Sequence, residues 1–236
     1  MSRGKYTYII HMLLQSSNLF AFFMYDTISF MKIAILGGAF DPPHLGHQIV
    51  ARQVLEKMQM DEVWLMVCDS YFPEFPIKYA RITSYSQRSE MTSYITEKRV
   101  LISDFEHTYN KKSRTIDTLK LLKKRYPAHE FSWILGSDTL PTFSLWNDWQ
   151  SIIKNHNLII FPRDTDFKTL EKRVKKYFKL TYLPANISIV ENDVIVSNIA
   201  STHIRKRIRN NLSVAGLVTK KVEKYIKINK LYICKA

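Results

Sequence analysis

The stretch Lys32-Ile33-Ala34-Ile35-Leu36-Gly37-Gly38-Ala39-Phe40-Asp41-Pro42-Pro43-His44-Leu45-Gly46-His47 decides how this chain is read. Ile33 to Leu36 are continuously apolar and end at a glycine pair, the pattern of a short strand buried on both faces of a parallel sheet. Gly37 and Gly38 predict a tight turn whose backbone approaches a ligand closely, since neither carries a Cβ. Pro42 and Pro43 stiffen that turn. From about His44 to Met58, the residues Ile49, Val50, Val54 and Met58 recur at helical spacing, which predicts a helix packed on the sheet with its N-terminus facing the loop. Free N–H groups and the positive end of the helix dipole make such a terminus an anion site. His44 and His47 lie one turn apart there and can address the same group.

Working outward, Val63 to Val67, Val100 to Ile102, Phe131 to Leu135, Leu158 to Phe161 and Ile187 to Val190 are further apolar runs separated by helical patterns. Strands alternating with helices imply βαβ units, so the expected class is α/β, a Rossmann-like doubly wound parallel sheet in a single domain. A chain of 236 residues is long enough for one well-buried core. Ligands of such sheets sit beyond the carboxyl ends of the strands, where both Gly37-Gly38 and Gly136-Ser137-Asp138 fall. Ser201 and Thr202 are capping residues before the basic stretch Ile204 to Asn210, which predicts a second helix start flanked by Arg205. A guanidinium fork suits phosphate oxygens. Lys206, Arg207 and Arg209 read as a solvated helical face.

The pair His44 and His47 is also compatible with zinc, but no cysteine pair or acidic partner stands at suitable spacing, so no metal held by the protein is expected. Cys68 and Cys234 are the only cysteines, which indicates no disulfide framework and suits a reducing cytoplasm. A formal charge of +14 attracts polyanions, which makes nucleic-acid binding the second class of function. Much of that charge lies in Lys168 to Lys179 and Lys220 to Lys230, with no regular aromatic interleaving and no nucleic-acid motif; a phosphate-rich substrate wants the same positive field. No nucleic-acid partner is expected. Residues 1–30 hold an apolar stretch, Tyr6 to Tyr25, interrupted by His11, Gln15, Ser16, Ser17 and Asn18, which argues against a membrane span, and no membrane partner is expected. Arg3 and Lys5 mimic a signal peptide, without a clear cleavage site. Met31 directly precedes the first strand, so the folded domain is expected over residues 31–236, with 1–30 an extension whose role the sequence leaves open.

The segment Gly37 to His47 resembles the phosphate loop of the nucleotidylyltransferase superfamily, which shares its His-x-Gly-His motif with class I aminoacyl-tRNA synthetases. Three further segments resemble one branch, the nicotinate or nicotinamide mononucleotide adenylyltransferases. Gly136-Ser137-Asp138-Thr139-Leu140, followed by Phe143 and Trp146, is similar to that branch's nucleotide-binding segment. Lys112-Ser113-Arg114-Thr115-Ile116-Asp117-Thr118-Leu119 is similar to its Ser-Tyr-Thr-x-Asp-Thr-Leu helix start, with Arg114 in place of tyrosine. Ile199-Ala200-Ser201-Thr202-His203-Ile204-Arg205 is similar to Ile-Ser-Ser-Thr-x-Ile-Arg, with Ala200 in place of the first serine. Order and spacing agree from Met31 to the end of the chain.

The resemblance implies adenylyl transfer from ATP to a pyridine mononucleotide, giving a dinucleotide and pyrophosphate. It implies His44, His47 and Arg205 as catalytic residues. Gly37, Gly38, Ala39, Phe40, Gly46, Ser201, Thr202 and Arg205 would bind ATP and its phosphates. Ser113, Thr115, Gly136, Asp138 and Trp146 would bind the mononucleotide, Trp146 by stacking on the pyridine while Trp149 packs. Magnesium is expected to bridge the ATP phosphates, with Asp41 or Asp138 reaching it through water, Asp138 being as well suited to a ribose hydroxyl. Lys78, in a loop of prolines and aromatics from Asp69 to Thr83, is an imperfect match to a basic residue of the branch. Pantetheine-phosphate adenylyltransferases and cytidylyltransferases share the first motif but commonly carry Thr where His44 stands and lack Gly-Ser-Asp with the downstream tryptophan. A synthetase is excluded by the lack of a Lys-Met-Ser-Lys-Ser segment. Bacterial-type spacing favours nicotinate over nicotinamide, and a homo-oligomer is compatible with the pattern.

Overall fold

The apolar runs become strands β1 (Lys32–Gly38), β2 (Glu62–Val67), β3 (Val100–Ser103), β4 (Glu130–Gly136), β5 (Asn157–Phe161) and β6 (Ile187–Ile189). They come from a computed structural model that describes residues 30–69, 83–110, 114–163, 167–191 and 193–233. Expectations placed on residues 1–29, Lys78, Ser113 and Cys234 lie outside the described residues. All six strands pair in parallel, in the order β3-β2-β1-β4-β5-β6. Residues 31–236 form one compact unit, an α/β Rossmann-like sheet flanked by helices.

Both faces of the sheet are covered because successive strand residues point to opposite sides. On one face Ala34, Val63, Leu65, Ile134, Ile159 and Phe161 pack with helices α1 (Leu45–Lys57), α2 (Tyr85–Ser93), α7 (Ser201–Arg209) and α8 (Lys220–Ile228). On the other, Ile35, Met66, Trp133, Leu135, Leu158 and Ile160 pack with α3 (Phe105–Tyr109), α4 (Thr115–Arg125), a 3₁₀ stretch (Ser137–Leu145), α5 (Trp149–Asn155) and α6 (Phe167–Phe178). The basic runs are the outer faces of amphipathic helices. Leu170, Val174 and Phe178 of α6 and Val222 and Ile226 of α8 are buried, whereas Lys168, Lys172, Lys176, Lys220, Lys221, Lys224 and Lys227 are exposed.

The glycine pair differs from its expected role. Gly37 and Gly38 do not form the turn; they continue β1, opposite Met66 and Val67 of β2. Trp133 explains Gly37. It stands opposite Ile35 in the β1–β4 register, and its buried ring leans along β1 so that a Cβ on Gly37 would lie 2.7 Å from Cη2. The chain turns afterwards, and the left-handed backbone falls on Phe40 (φ 50°), not on a glycine.

Gly37→Ala should therefore destabilise the fold by about 1–3 kcal/mol through overpacking, measured by urea unfolding. Combined with Trp133→Leu, which empties the clashing volume, the loss should be smaller than the sum of the two single losses. Strict additivity would show that the two positions do not compete for space.

Candidate active site

The crevice-forming ends of β1 and β4 lie side by side at the centre of the sheet. The β1 loop enters α1 at His44, whose backbone is extended (φ −148°, ψ 169°) and caps the helix. The His44 backbone N–H donates to Nδ1 of His47 at 3.1 Å. That nitrogen is thus an acceptor, and a neutral His47 carries its proton on Nε2, free to donate to a ligand. The two imidazoles stack at 3.7 Å with 25° between planes, and the buried ring of Phe40 supports His47 at 4.7 Å. Gly46 makes this stack possible, because a Cβ there would fall 2.9 Å from His44 Nδ1. His44 is only 3% exposed.

A third basic group, unforeseen in the sequence, sits beside the pair. Arg163, just past the carboxyl end of β5, donates its backbone N–H to Ser137 Oγ (3.0 Å) and Nη2 to the Ile199 carbonyl (3.3 Å). It thereby ties the β4 loop to the segment that leads into α7. Burial, then the Arg163 charge, lowers the His44 pKa to about 3. Burial, His44 and Arg163 likewise hold His47 well below the ordinary histidine range. Both imidazoles are neutral hydrogen-bonding groups at physiological pH, and the arginines carry the positive charge.

The start of α7 meets the β1 loop directly. Arg205 Nη1 donates to the Asp41 carbonyl at 2.6 Å, and Ser201 Oγ donates to the Pro42 carbonyl at 2.8 Å. Ser201 and Thr202 do not cap this helix: they form its first turn, and Ala200, in extended backbone, is the N-cap without a side-chain bond. Asp41, expected as a water-mediated metal contact, is instead 1% exposed. Its Oδ1 accepts from Thr83 Oγ1 and from the Tyr232 hydroxyl, each at 2.7 Å, while Oδ2 has no partner among the described residues. Arg88 of α2, also 1% exposed, stiffens the same region. It donates to the carbonyls of Ala39 (3.0 Å), Cys68 (2.8 Å), Asp69 (3.3 Å) and Thr83 (3.0 Å), and so holds the loops beyond β1 and β2. Gln53 of α1 performs a parallel service, exchanging hydrogen bonds with both backbone groups of Ile195 ahead of α7.

Of the residues expected to hold a mononucleotide, Asp138 is exposed and folds its carboxylate over Gly136 at the end of β4. Trp146 ends the 3₁₀ stretch, half-buried, 5.0 Å from Phe143. Trp149 packs against the same core, with Lys179 Nζ 6.0 Å from its ring. Thr115 is buried as the first residue of α4, and Arg114 is its N-cap without a side-chain bond. Among the described residues no three His, Cys, Asp or Glu side chains cluster as metal ligands, and no helix is long and apolar enough to cross a membrane.

A family model described as cytidylyltransferase-like matches residues 35–207. A Flavobacterium johnsoniae protein named "Probable nicotinate-nucleotide adenylyltransferase" is 34% identical over 205 residues, covering 86% of this chain and 99% of its own. A protein of the same name from Exiguobacterium sibiricum is 30% identical, with 86% and 99% covered. Among solved structures, Plasmodium falciparum nicotinic acid mononucleotide adenylyltransferase complexed with NaAD superposes with a TM-score of 0.68 at 20% identity, over 86% of this chain and 97% of that one. That last likeness is one of fold.

The imidazole environment sets a pH dependence. His44 titrates near 6.5 in an unfolded chain and near 3 in the fold. Between those values the unfolded chain binds the extra proton, so this group's contribution is complete above 6.5 and is lost as pH falls toward 3. The unfolding midpoint of His44→Gln should fall less steeply than the parent's across that window in thermal melts. Equal slopes would show that His44 is not held neutral by the fold.

Proposed function

The chain belongs to the cytidylyltransferase-like family and, within it, to the nicotinate-nucleotide adenylyltransferases, and from that membership we infer that it joins ATP to nicotinate mononucleotide, giving deamido-NAD and pyrophosphate in NAD biosynthesis. The observation that carries this reading is the stacked imidazole pair at the start of α1, bordered by Arg163 and by Arg205 on the loop's own carbonyl. Such a site offers donors and fixed positive charge, and adenylyl transfer needs little else.

The phosphate of the mononucleotide attacks the α-phosphorus of ATP in line as the bond to the bridging oxygen breaks and pyrophosphate leaves. That phosphate is already ionised at neutral pH, so no strong base is required and alignment does most of the work. His47 Nε2–H donates to a phosphate oxygen as charge builds on it, and His44 holds the ring in place by stacking. Arg205 keeps one donor on the Asp41 carbonyl and turns its others, with the first turn of α7 at Ser201 and Thr202, toward the departing β- and γ-phosphates. Gly37, Gly38, Ala39 and Phe40 contribute main chain along ATP. Trp146 stacks on the pyridine, Gly136 and Asp138 face the ribose, and Thr115 serves the ring's carboxylate.

Magnesium would arrive with the triphosphate, where exposed Asp138 would reach it through water, whereas Asp41 is buried. When bound it would neutralise charge on the triphosphate. Cys68, a buried free thiol, accords with a reducing cytoplasm as the place of the reaction.

Purified protein incubated with ATP, magnesium and each pyridine mononucleotide in turn should yield a dinucleotide, faster from the nicotinate form. No dinucleotide from either mononucleotide, or a faster reaction of the nicotinamide form, would overturn the reading. His47→Ala should lower kcat by roughly 10²-fold or more with folding retained, and a near-normal rate would remove His47 from the chemistry. Trp146→Ala should chiefly raise KM for the mononucleotide, and an unchanged KM would take it out of the pocket.

A further inference from the structure

We propose that Tyr232 is a positioning residue for this reaction: its hydroxyl, donated to Asp41, locks the phosphate loop in the conformation that presents His44 and His47 to ATP. The inference rests on the adenylyl-transfer reading and adds to it a residue from the far end of the chain, 191 positions from its partner.

Asp41 lies in the loop between β1 and α1, three residues before His44. A carboxylate this buried is tolerated only where donors satisfy it. Two hydroxyls meet Oδ1 at 2.7 Å, Thr83 Oγ1 and the Tyr232 phenol. The Thr83 backbone N–H also reaches Oδ1, at 3.4 Å, and Oδ2 has no partner among the described residues, so the two short hydroxyl bonds are the carboxylate's closest contacts. Burial, and after it the Asp41 charge, pushes the phenol far above its ordinary range, so Tyr232 remains a donor at any working pH.

The backbone around Tyr232 gives a second, independent observation. Helix α8 ends at Ile228, and the chain then doubles back through two left-handed residues, Lys230 (φ 49°) and Tyr232 (φ 64°). An aromatic side chain disfavours that conformation, because its Cβ crowds the carbonyl oxygen. Strained backbone persists where surrounding contacts over-determine it, and such residues gather at functional sites. Here Leu231 seats in the core shared with α1 and its N–H bonds the Ile226 carbonyl at 3.0 Å, so the turn is anchored and aims the phenol at Asp41. With Arg205 on the Asp41 carbonyl and Ser201 on that of Pro42, the loop is gripped from several elements at once.

Tyr232→Phe keeps the ring and deletes only the hydroxyl. The variant should fold, lose about tenfold in kcat/KM for ATP and keep the parent KM for the mononucleotide, since a displaced phosphate group loses alignment rather than pyridine contacts. Val222→Ala opens the buried core under α8 without touching the turn at Lys230 to Tyr232 and should lower the melting temperature while the folded protein retains its kcat/KM. In an Asp41→Ala background, Tyr232→Phe should have little further effect, because the acceptor it acts through is gone. Parent-like kcat/KM for ATP in Tyr232→Phe, failure of that variant to fold, an equal catalytic loss in Val222→Ala, or additive losses with Asp41→Ala would each overturn the proposal. A parent protein that forms no dinucleotide would sink the adenylyl-transfer reading alone. The clamp is then read as ATP affinity, expected to weaken about tenfold in Tyr232→Phe, and an unchanged affinity would sink it too.

Discussion

The reversal of strand order between β1 and β4 is the constraint on which the site depends. The chain leaves β1 through α1 on one face of the sheet and leaves β4 through the 3₁₀ stretch and α5 on the other. Two adjacent parallel strands whose continuations part in opposite directions open a crevice at their carboxyl ends. The histidine loop enters that crevice from β1 and the Gly136 to Asp138 loop from β4. Arg163 arrives from the end of β5, and Arg205 from α7. Nothing in the local sequence of any one of these loops makes a site; the topology brings them together.

Charge is divided within that crevice. The imidazoles are neutral, because burial and Arg163 disfavour their protonation, while permanently charged guanidinium groups supply the positive field. A crevice built this way keeps one protonation state across the physiological range. Had the histidines carried the charge, anion binding would have changed steeply near neutral pH. The larger share of the chain's net positive charge lies elsewhere, on the outer faces of α6, α7 and α8, where lysines meet solvent and, in places, an acidic neighbour such as Glu171 or Glu223.

Buried carbonyl groups are the other recurring element. Arg88, Arg205, Ser201 and Arg163 each donate to main-chain oxygens of loops. Irregular backbone beyond the strands cannot satisfy its own carbonyls, and side-chain donors from helices take over that work. The consequence is a rigid frame around the loop between β1 and α1, of the kind alignment-based catalysis requires.

Periodicity and local chemistry were legible in the amino-acid order alone. All six strands could be read because strands buried on both faces are continuous apolar runs, and the start of α1 could be read because histidines, glycine and prolines crowd one loop. Elsewhere a distant residue supplies the reason: Gly37 is glycine because Trp133 of another strand lies over it, and Ser201, one position past the N-cap Ala200, gives its hydroxyl to the Pro42 carbonyl. Arg163, Arg88 and Tyr232 carry no local pattern, being single residues whose partners, apart from Thr83 beside Arg88, lie tens to nearly two hundred positions away. Folding in three dimensions chose these partnerships, since a hydrogen bond is decided by proximity in space and linear spacing records proximity only within a helix turn or along a strand.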